Sequence, residues 1–194
     1  MNLGILGVPG ASFAGSSSLP SIQAYQTAGT FTFTIPDNCF KIIVEVWGGG
    51  SGGATDGATV WYSGGGGGYA MQAFAVSPRQ TYTVVVGAGG LGTAGLPVGA
   101  GGTSSVTGPA GTVSATGGTT GTAGGTGSGG AINLVGGTGA SAGSPAVQTH
   151  AGAAPMLGAS VGYSFSAATL NGSGGQPANT PNGDGAPGMV VIYY

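Results

Sequence analysis

Between Gly118 and Gly130 a glycine occupies every third position, through Gly121, Gly124 and Gly127. Asn133 breaks the register, and Gly136 and Gly139 resume it. A three-residue period matches a polyproline-II helix, which turns once per three residues and, when packed closely, accepts only hydrogen on its crowded face. The same residues argue against an α-helix, since each interior glycine costs roughly 1 kcal/mol relative to alanine. The spacing therefore predicts packed backbone in place of a side-chain core. Apolar residues set between glycines (Leu91, Leu96, Val98, Ile132, Leu134, Val135, Met156 and Leu157) favour an ordered assembly over a flexible Gly/Ser linker.

Ordinary strand sequence frames this tract. Phe31, Phe33 and Ile35 alternate with Thr30, Thr32 and Thr34, the period-2 pattern of a half-buried strand. Pro36, Asp37 and Asn38 read as a turn, and Phe40 to Trp47 as the next strand, ended by Gly48 to Gly53. A loop with Asp56 leads to Val60–Tyr62 and then Gly64–Gly68. Tyr69 to Val76 and Gln80 to Val86 are strands separated by Ser77-Pro78-Arg79-Gln80. Strand character returns only at Met189–Tyr194, which must pair with the earlier strands to satisfy its backbone. No window carries a helical period.

The expected fold is all-β: a small β-sandwich or β-barrel-like root with a glycine-rich insertion of packed polyproline-II (polyglycine-II) helices and loops. Residues 1–28 read as an N-terminal arm or docking segment and 29–194 as a glycine-rich β domain. Its strands are expected at about 30–47, 69–86 and 188–194, with the tract at 87–187.

Charge narrows the function classes. Charged residues make up 3% of the chain against a usual ~25%, and the net charge is only −2. With hydrophobic residues at 40%, this is not the composition of a disordered chain. Lys41 and Arg79, 38 positions apart, form no phosphate-binding patch, so no nucleic-acid partner is expected. No apolar run approaches the ~20 residues of a spanning helix, so no membrane insertion is expected. The N-terminal MNLGILGVPGASFAG has the small and apolar residues of a signal peptide. It lacks a basic start, and Gly7, Pro9 and Gly10 interrupt it, so no cleaved signal is expected. Cys39, the single cysteine, reads as a small hydrophobe at a strand entrance.

Two catalytic-looking motifs follow from composition. Gly87-Ala88-Gly89-Gly90-Leu91-Gly92 matches G-x-G-x-x-G, but Gly95 and Pro97 forbid the helix such a site opens, and no acid lies between Asp56 and Asp184. Gly49-Gly50-Ser51-Gly52-Gly53 matches G-x-S-x-G without a following helix, and only His150 with Asp56 or Asp184 is left to complete a triad. No carboxylate pair is singled out for glycosidase chemistry, and Asp37, Glu45 and Asp56 lack metal-site spacing. The chain is expected to be no enzyme, with no cofactor and no metal.

Trp61 and Tyr62 sit in one glycine-flanked segment, Tyr163 and Phe165 in another, and His150 lies between them. The aromatics either cap the sheet ends or form an exposed stacking surface; His150 reads as a hydrogen-bonding loop residue. As a binding surface, this uncharged set suits a neutral glycan or an outer-membrane protein loop. Trp61, Tyr62, His150, Tyr163 and Phe165 are accordingly the candidate receptor-binding residues.

Seven segments in order carry a family resemblance: Phe31–Pro36 (FTFTIP), Ile43–Gly50 (IVEVWGGG), Gly64–Ala70 (GGGGGYA), Tyr82–Gly90 (YTVVVGAGG), Gly101–Ser105 (GGTSS), Ala115–Gly118 (ATGG) and Gly185–Tyr194 (GAPGMVVIYY). Together they resemble the glycine-rich domain of bacteriophage tail fibre and related virion surface proteins, including tail-tip adhesins. The resemblance implies a virion structural protein, a tail fibre, spike or decoration component exposed on tail or capsid. It would attach to the host through loops near 52–63, 91–100, 143–166 and 171–182. Implied partners are other virion proteins, a second and third copy in a homotrimer, and a host surface glycan or outer-membrane protein. The alternative is a secreted glycine-rich binding protein, ice-binding or cell-wall associated, presenting Thr112, Thr116, Thr119, Thr120, Thr122 and Thr126 on flat polyproline-II faces.

Overall fold

The computed structural model describes residues 20–55, 61–93, 99–119, 123–142, 151–157, 168, 171–175 and 183–194. Among these residues thirteen strands follow in chain order. They are β1 (Ile22–Tyr25), β2 (Gly29–Thr34), β3 (Lys41–Trp47), β4 (Ala54–Thr55), β5 (Trp61–Tyr62), β6 (Tyr69–Ala75) and β7 (Thr81–Val86). Then come β8 (Ser104–Gly108), β9 (Gly111–Ala115), β10 (Gly127–Ser128), β11 (Ile132–Leu134), β12 (Ser141–Ala142) and β13 (Met189–Tyr193). The chain is all-β, as its alternating patterns predict.

Two antiparallel five-stranded sheets form a sandwich, one in the order β1-β13-β3-β6-β11 and the other β10-β9-β8-β7-β2. Alternation decides what faces inward. Ile42, Val44 and Val46 of β3, with Val190 and Ile192 of β13, pack against Phe33, Tyr82, Val84, Val106 and Val113 of the opposite sheet, all buried. The turns fall where the sequence places them: Asn38 and Arg79 adopt left-handed φ angles of 64° and 67°.

The outer face of the first sheet has its own cluster. Trp47 packs tilted against Tyr69 with centroids 4.9 Å apart, and its Nε1 donates to the Pro155 carbonyl at 2.7 Å. The Glu45 carboxylate accepts the hydroxyls of Tyr69 at 2.8 Å and Tyr193 at 2.9 Å. Burial first, and then these bonds, push the Tyr69 hydroxyl well above the usual tyrosine range; for Tyr193 the bond to Glu45 is the leading cause.

Three expectations change. Residues 22–25, within the stretch read as an arm, form β1 and pair with β13. The tract 87–187 is not strand-free, because β8 and β9 make a hairpin that extends the second sheet beside β7. The reason is economical: Val106, Val113 and Ala115 supply its hydrophobic core face, while Ser105, Thr107, Thr112 and Ser114 alternate with them on the outer side. Finally, the every-third-residue register is not one continuous helix, since Gly127 belongs to β10 and Gly130 follows in a bend. The packed glycine helices are short, and their centre lies elsewhere.

Candidate functional site: the outer end of the glycine scaffold

The centre is 48–53, the cluster read from sequence only as the end of β3. Its amides rotate through three directions in strict succession. Gly48 and Ser51 donate to Gly68 and Gly65; Gly49 and Gly52 to Gly102 and Gly99; Gly50 and Gly53 to Ala186 and Gly183. These bonds run from 2.7 to 3.0 Å. A donor direction that recurs every third residue is the threefold geometry of a polyproline-II helix, here bonded to neighbours because such a helix has no internal hydrogen bonds.

Its carbonyls face three further segments. Gly118 donates to Gly49, Gly90 and Thr93 to Gly50 and Gly53, and Gly175 to Ser51. Segment 48–53 is thus surrounded by six others: 64–68, 172–175, 183–188, 87–93, 99–102 and 116–118. The ring closes, for each of these also bonds to the next, as in Ala186 to Ser173, Gly185 to Gly90, Gly102 to Ala88, Gly101 to Gly118, Gly68 to Thr116 and Gly64 to Gly175. Segment 64–68 centres a second ring that shares two members with the first. Around it Thr116 donates to Thr126, Gly136 to Gly125, Gly137 to Ala153 and Gly174 to Gly152. The described residues therefore contain a hexagonal array of ten short polyglycine-II helices, continuous with the sandwich.

Close approach explains why the array is glycine. A Cβ on Gly50 would fall inside the Ser173 carbonyl, one on Gly49 inside that of Ala88, and one on Gly67 inside that of Gly48. Backbone cannot yield as a flexible side chain does, so the array replaces side-chain interdigitation with direct main-chain packing. Ser51 is admitted because its fully buried hydroxyl takes up the Gly65 amide at 2.8 Å. The G-x-S-x-G serine is therefore enclosed in the array. The G-x-G-x-x-G segment runs along it, where Gly90 donates to Gly50 and Gly92 donates to Asp184 Oδ1 at 2.7 Å.

Topology gives the array two ends. At one, strands β3, β6, β7, β8, β9 and β13 run directly into glycine segments. At the other the chain emerges at Ala54–Thr55, Leu91–Thr93, Thr119, Ser141–Ala142, Gly175 and Gly183. A small sheet in the order β12-β5-β4 ties this end together, and Ala54 bridges to Thr93. Leu91 is exposed there. Asp184 braces it, its carboxylate held by the Gly92 amide and its carbonyl by that of Ala168.

Trp61 and Tyr62 form β5, the middle strand of that sheet, opposite Ala142 and Ser141 on one side and Thr55 and Ala54 on the other. Tyr62 is partly exposed. His150, Tyr163 and Phe165 lie outside the described residues, so only Trp61 and Tyr62 are placed together. Of the segments expected as loops, Gly52–Gly53, Gly99–Ala100 and 172–175 belong to the array. Sequence reading missed Asp184 as a brace, because an isolated acid carries no sign of a partner 92 residues away.

A family model described as a glycine-rich domain matches residues 26–194. The chain belongs to this glycine-rich domain family. No curated protein matches the chain.

Proposed function

We propose that this glycine-rich domain is a structural protein of a bacteriophage particle, a tail fibre, spike or decoration component that takes part in host attachment. One observation supports the reading above the others. A sandwich with its own core continues into a main-chain-bonded array, and successive excursions of the chain emerge together at the array's far end. Such an end sets several points of emergence, among them Thr55, Thr93 and Thr119, on main-chain packing rather than on a side-chain core. A main-chain-bonded array that fixes these points of emergence lowers the ordering entropy lost on binding there. The low charge fits a protein held in an assembly, where solubility as a free chain matters less. In this reading the protein sits on the virion surface, catalyses no reaction, and binds a neutral host glycan or an outer-membrane protein through the end that carries Trp61 and Tyr62. Other virion proteins hold it in place.

Adsorption blocking tests this directly. Purified wild-type protein should slow phage adsorption to host cells, and a Trp61→Ala/Tyr62→Ala variant with an unchanged melting temperature should lose that effect. Blocking by neither protein would sink the attachment role, and equal blocking by both would remove these two residues from the site.

A second reading, an ice-binding or cell-wall-associated protein, draws on the outer face of the second sheet. There Thr32, Thr83, Thr107 and Thr112 stand in one register row across four strands. All four are exposed, and Thr112 donates to Thr107 at 3.1 Å. This is a different surface from the polyproline-II faces expected from sequence. Absence of thermal hysteresis would dispose of its ice-binding form.

A further inference from the structure

Among the described residues four strands form the lateral edges of the sandwich: β1 and β11 in one sheet, β10 and β2 in the other. Native sheets protect edges by keeping them short or by placing charge, proline or a bulge on them. The first three have four, three and two residues. β2 has six, GTFTFT, with no charge and no proline.

Its hydrogen-bonding parity can be read from the end of the strand. Ile35 N donates to Gln80 O at 2.8 Å, continuing the register Phe33↔Tyr82 and Phe31↔Val84. In an antiparallel ladder, bonded and non-bonded residues alternate. Phe31 and Phe33 therefore bond to β7, and Thr30, Thr32 and Thr34 turn their N–H and C=O groups outward to the open edge. All three threonines are exposed. An unbroken row of free donors and acceptors is a template for an added strand.

We infer that the open edge of β2 pairs antiparallel with β2 of a second copy, joining two five-stranded sheets into one. The edge is self-complementary about Thr32. A twofold axis there sets Thr30 opposite Thr34 of the partner copy and Thr32 opposite itself, so each opposed pair exchanges two hydrogen bonds. Threonines facing one another across strands add a favourable side-chain pair. No like charges meet: the nearest, Asp37, falls opposite Thr27 of the other copy. Tyr25 of β1 packs tilted against Phe31 with centroids 5.1 Å apart, so the edge of the overlying sheet stands beside that of β2. The association is isologous and closes at two copies.

Sedimentation velocity across a concentration series, combined with residue-resolved hydrogen exchange, tests this on the full chain. The mass should double with concentration. The Thr30, Thr32 and Thr34 amides should slow at least tenfold in step with it, while those of Phe31 and Phe33, already bonded to β7, should not change. Thr32→Lys places two cations face to face and should weaken association at least tenfold without changing the melting temperature. Thr32→Pro removes only the outward N–H, which an edge position tolerates, and should act alike. A monomer at every concentration, a trimer, or a dimer whose Thr32 amide exchanges freely would each overturn the proposal. So would slow Thr32 exchange in dilute monomer, which would mean the chain covers its own edge, or variants that associate as wild type does.

Discussion

Replacing Gly50 by alanine probes the array at its centre. The added methyl falls inside the Ser173 carbonyl, so segments 48–53 and 172–175 must separate. Gly50 also joins two other helices, donating to Ala186 at 2.9 Å and accepting from Gly90 at 2.9 Å. Overpacking of a tight interior costs about 1–3 kcal/mol. Leaving one buried amide or carbonyl unpaired adds about 1–3 kcal/mol. Against these, alanine reduces the freedom of the unfolded chain and returns roughly 0.4–1 kcal/mol. The net destabilisation is about 3 kcal/mol. For a domain of this size that is a fall in melting temperature of roughly 6–12 °C. Differential scanning calorimetry on Gly50→Ala and on Ala88→Ser measures it, Ala88 being an exposed array residue whose change should cost under about 0.5 kcal/mol. If Gly50→Ala melts within a degree of wild type, main-chain packing is not what requires glycine there.

Removing the Ser51 hydroxyl by Ser51→Ala strands the buried Gly65 amide, and urea unfolding should show a loss of about 1–3 kcal/mol with an unchanged m-value. The tyrosines predict an alkaline limit. Tyr69 and Tyr193 hold their protons above the ordinary 10.0 in the folded chain, while the unfolded chain releases them there. Their contribution is therefore complete at neutral pH and is lost as pH rises past 10 toward the folded values. Tyr193→Phe should flatten that decline, and denaturation midpoints between pH 8 and 11 would show it; an identical slope in the variant would refute the coupling to Glu45.

How much of this was legible in the sequence follows from how local each signal is. β2 and β7 alternate large apolar residues with threonine, and β3, β6 and β13 are short apolar-rich runs bounded by glycine or turn residues, so local pattern alone locates them. The β8–β9 hairpin escapes because its core face consists of a few small residues, Val106, Val113 and Ala115, among serine, threonine and glycine. β1, four residues reading Ile-Gln-Ala-Tyr, becomes a strand through pairing with β13, the last strand of the chain. The role of 48–53 and 64–68 was hidden for a deeper reason. A polyglycine-II helix is defined by its neighbours, and the neighbours of Gly48 to Gly53 extend as far along the chain as Ala186. The glycine period drew attention to 118–139, where, among the described residues, 118, 124–126 and 136–137 join the array. At the outer end, Trp61 and Tyr62 stood out as aromatics in a glycine-rich setting, and they do lie where the array ends. The bracing by Asp184 depends on a bond between distant segments and left no pattern to read.

Main-chain bonding between segments makes the glycines a hydrogen-bonded solid rather than a tether. Hydrogen exchange at the amides of Gly49, Gly50, Gly52, Gly66 and Gly67 tests it most directly. The array predicts protection comparable to that of Val44 and Val84 in the sandwich core, with Gly49 and Gly52 alike because both bond to the same neighbouring helix. Exchange of these glycine amides at the rate of an unstructured chain, while Val44 and Val84 remain protected, would contradict it.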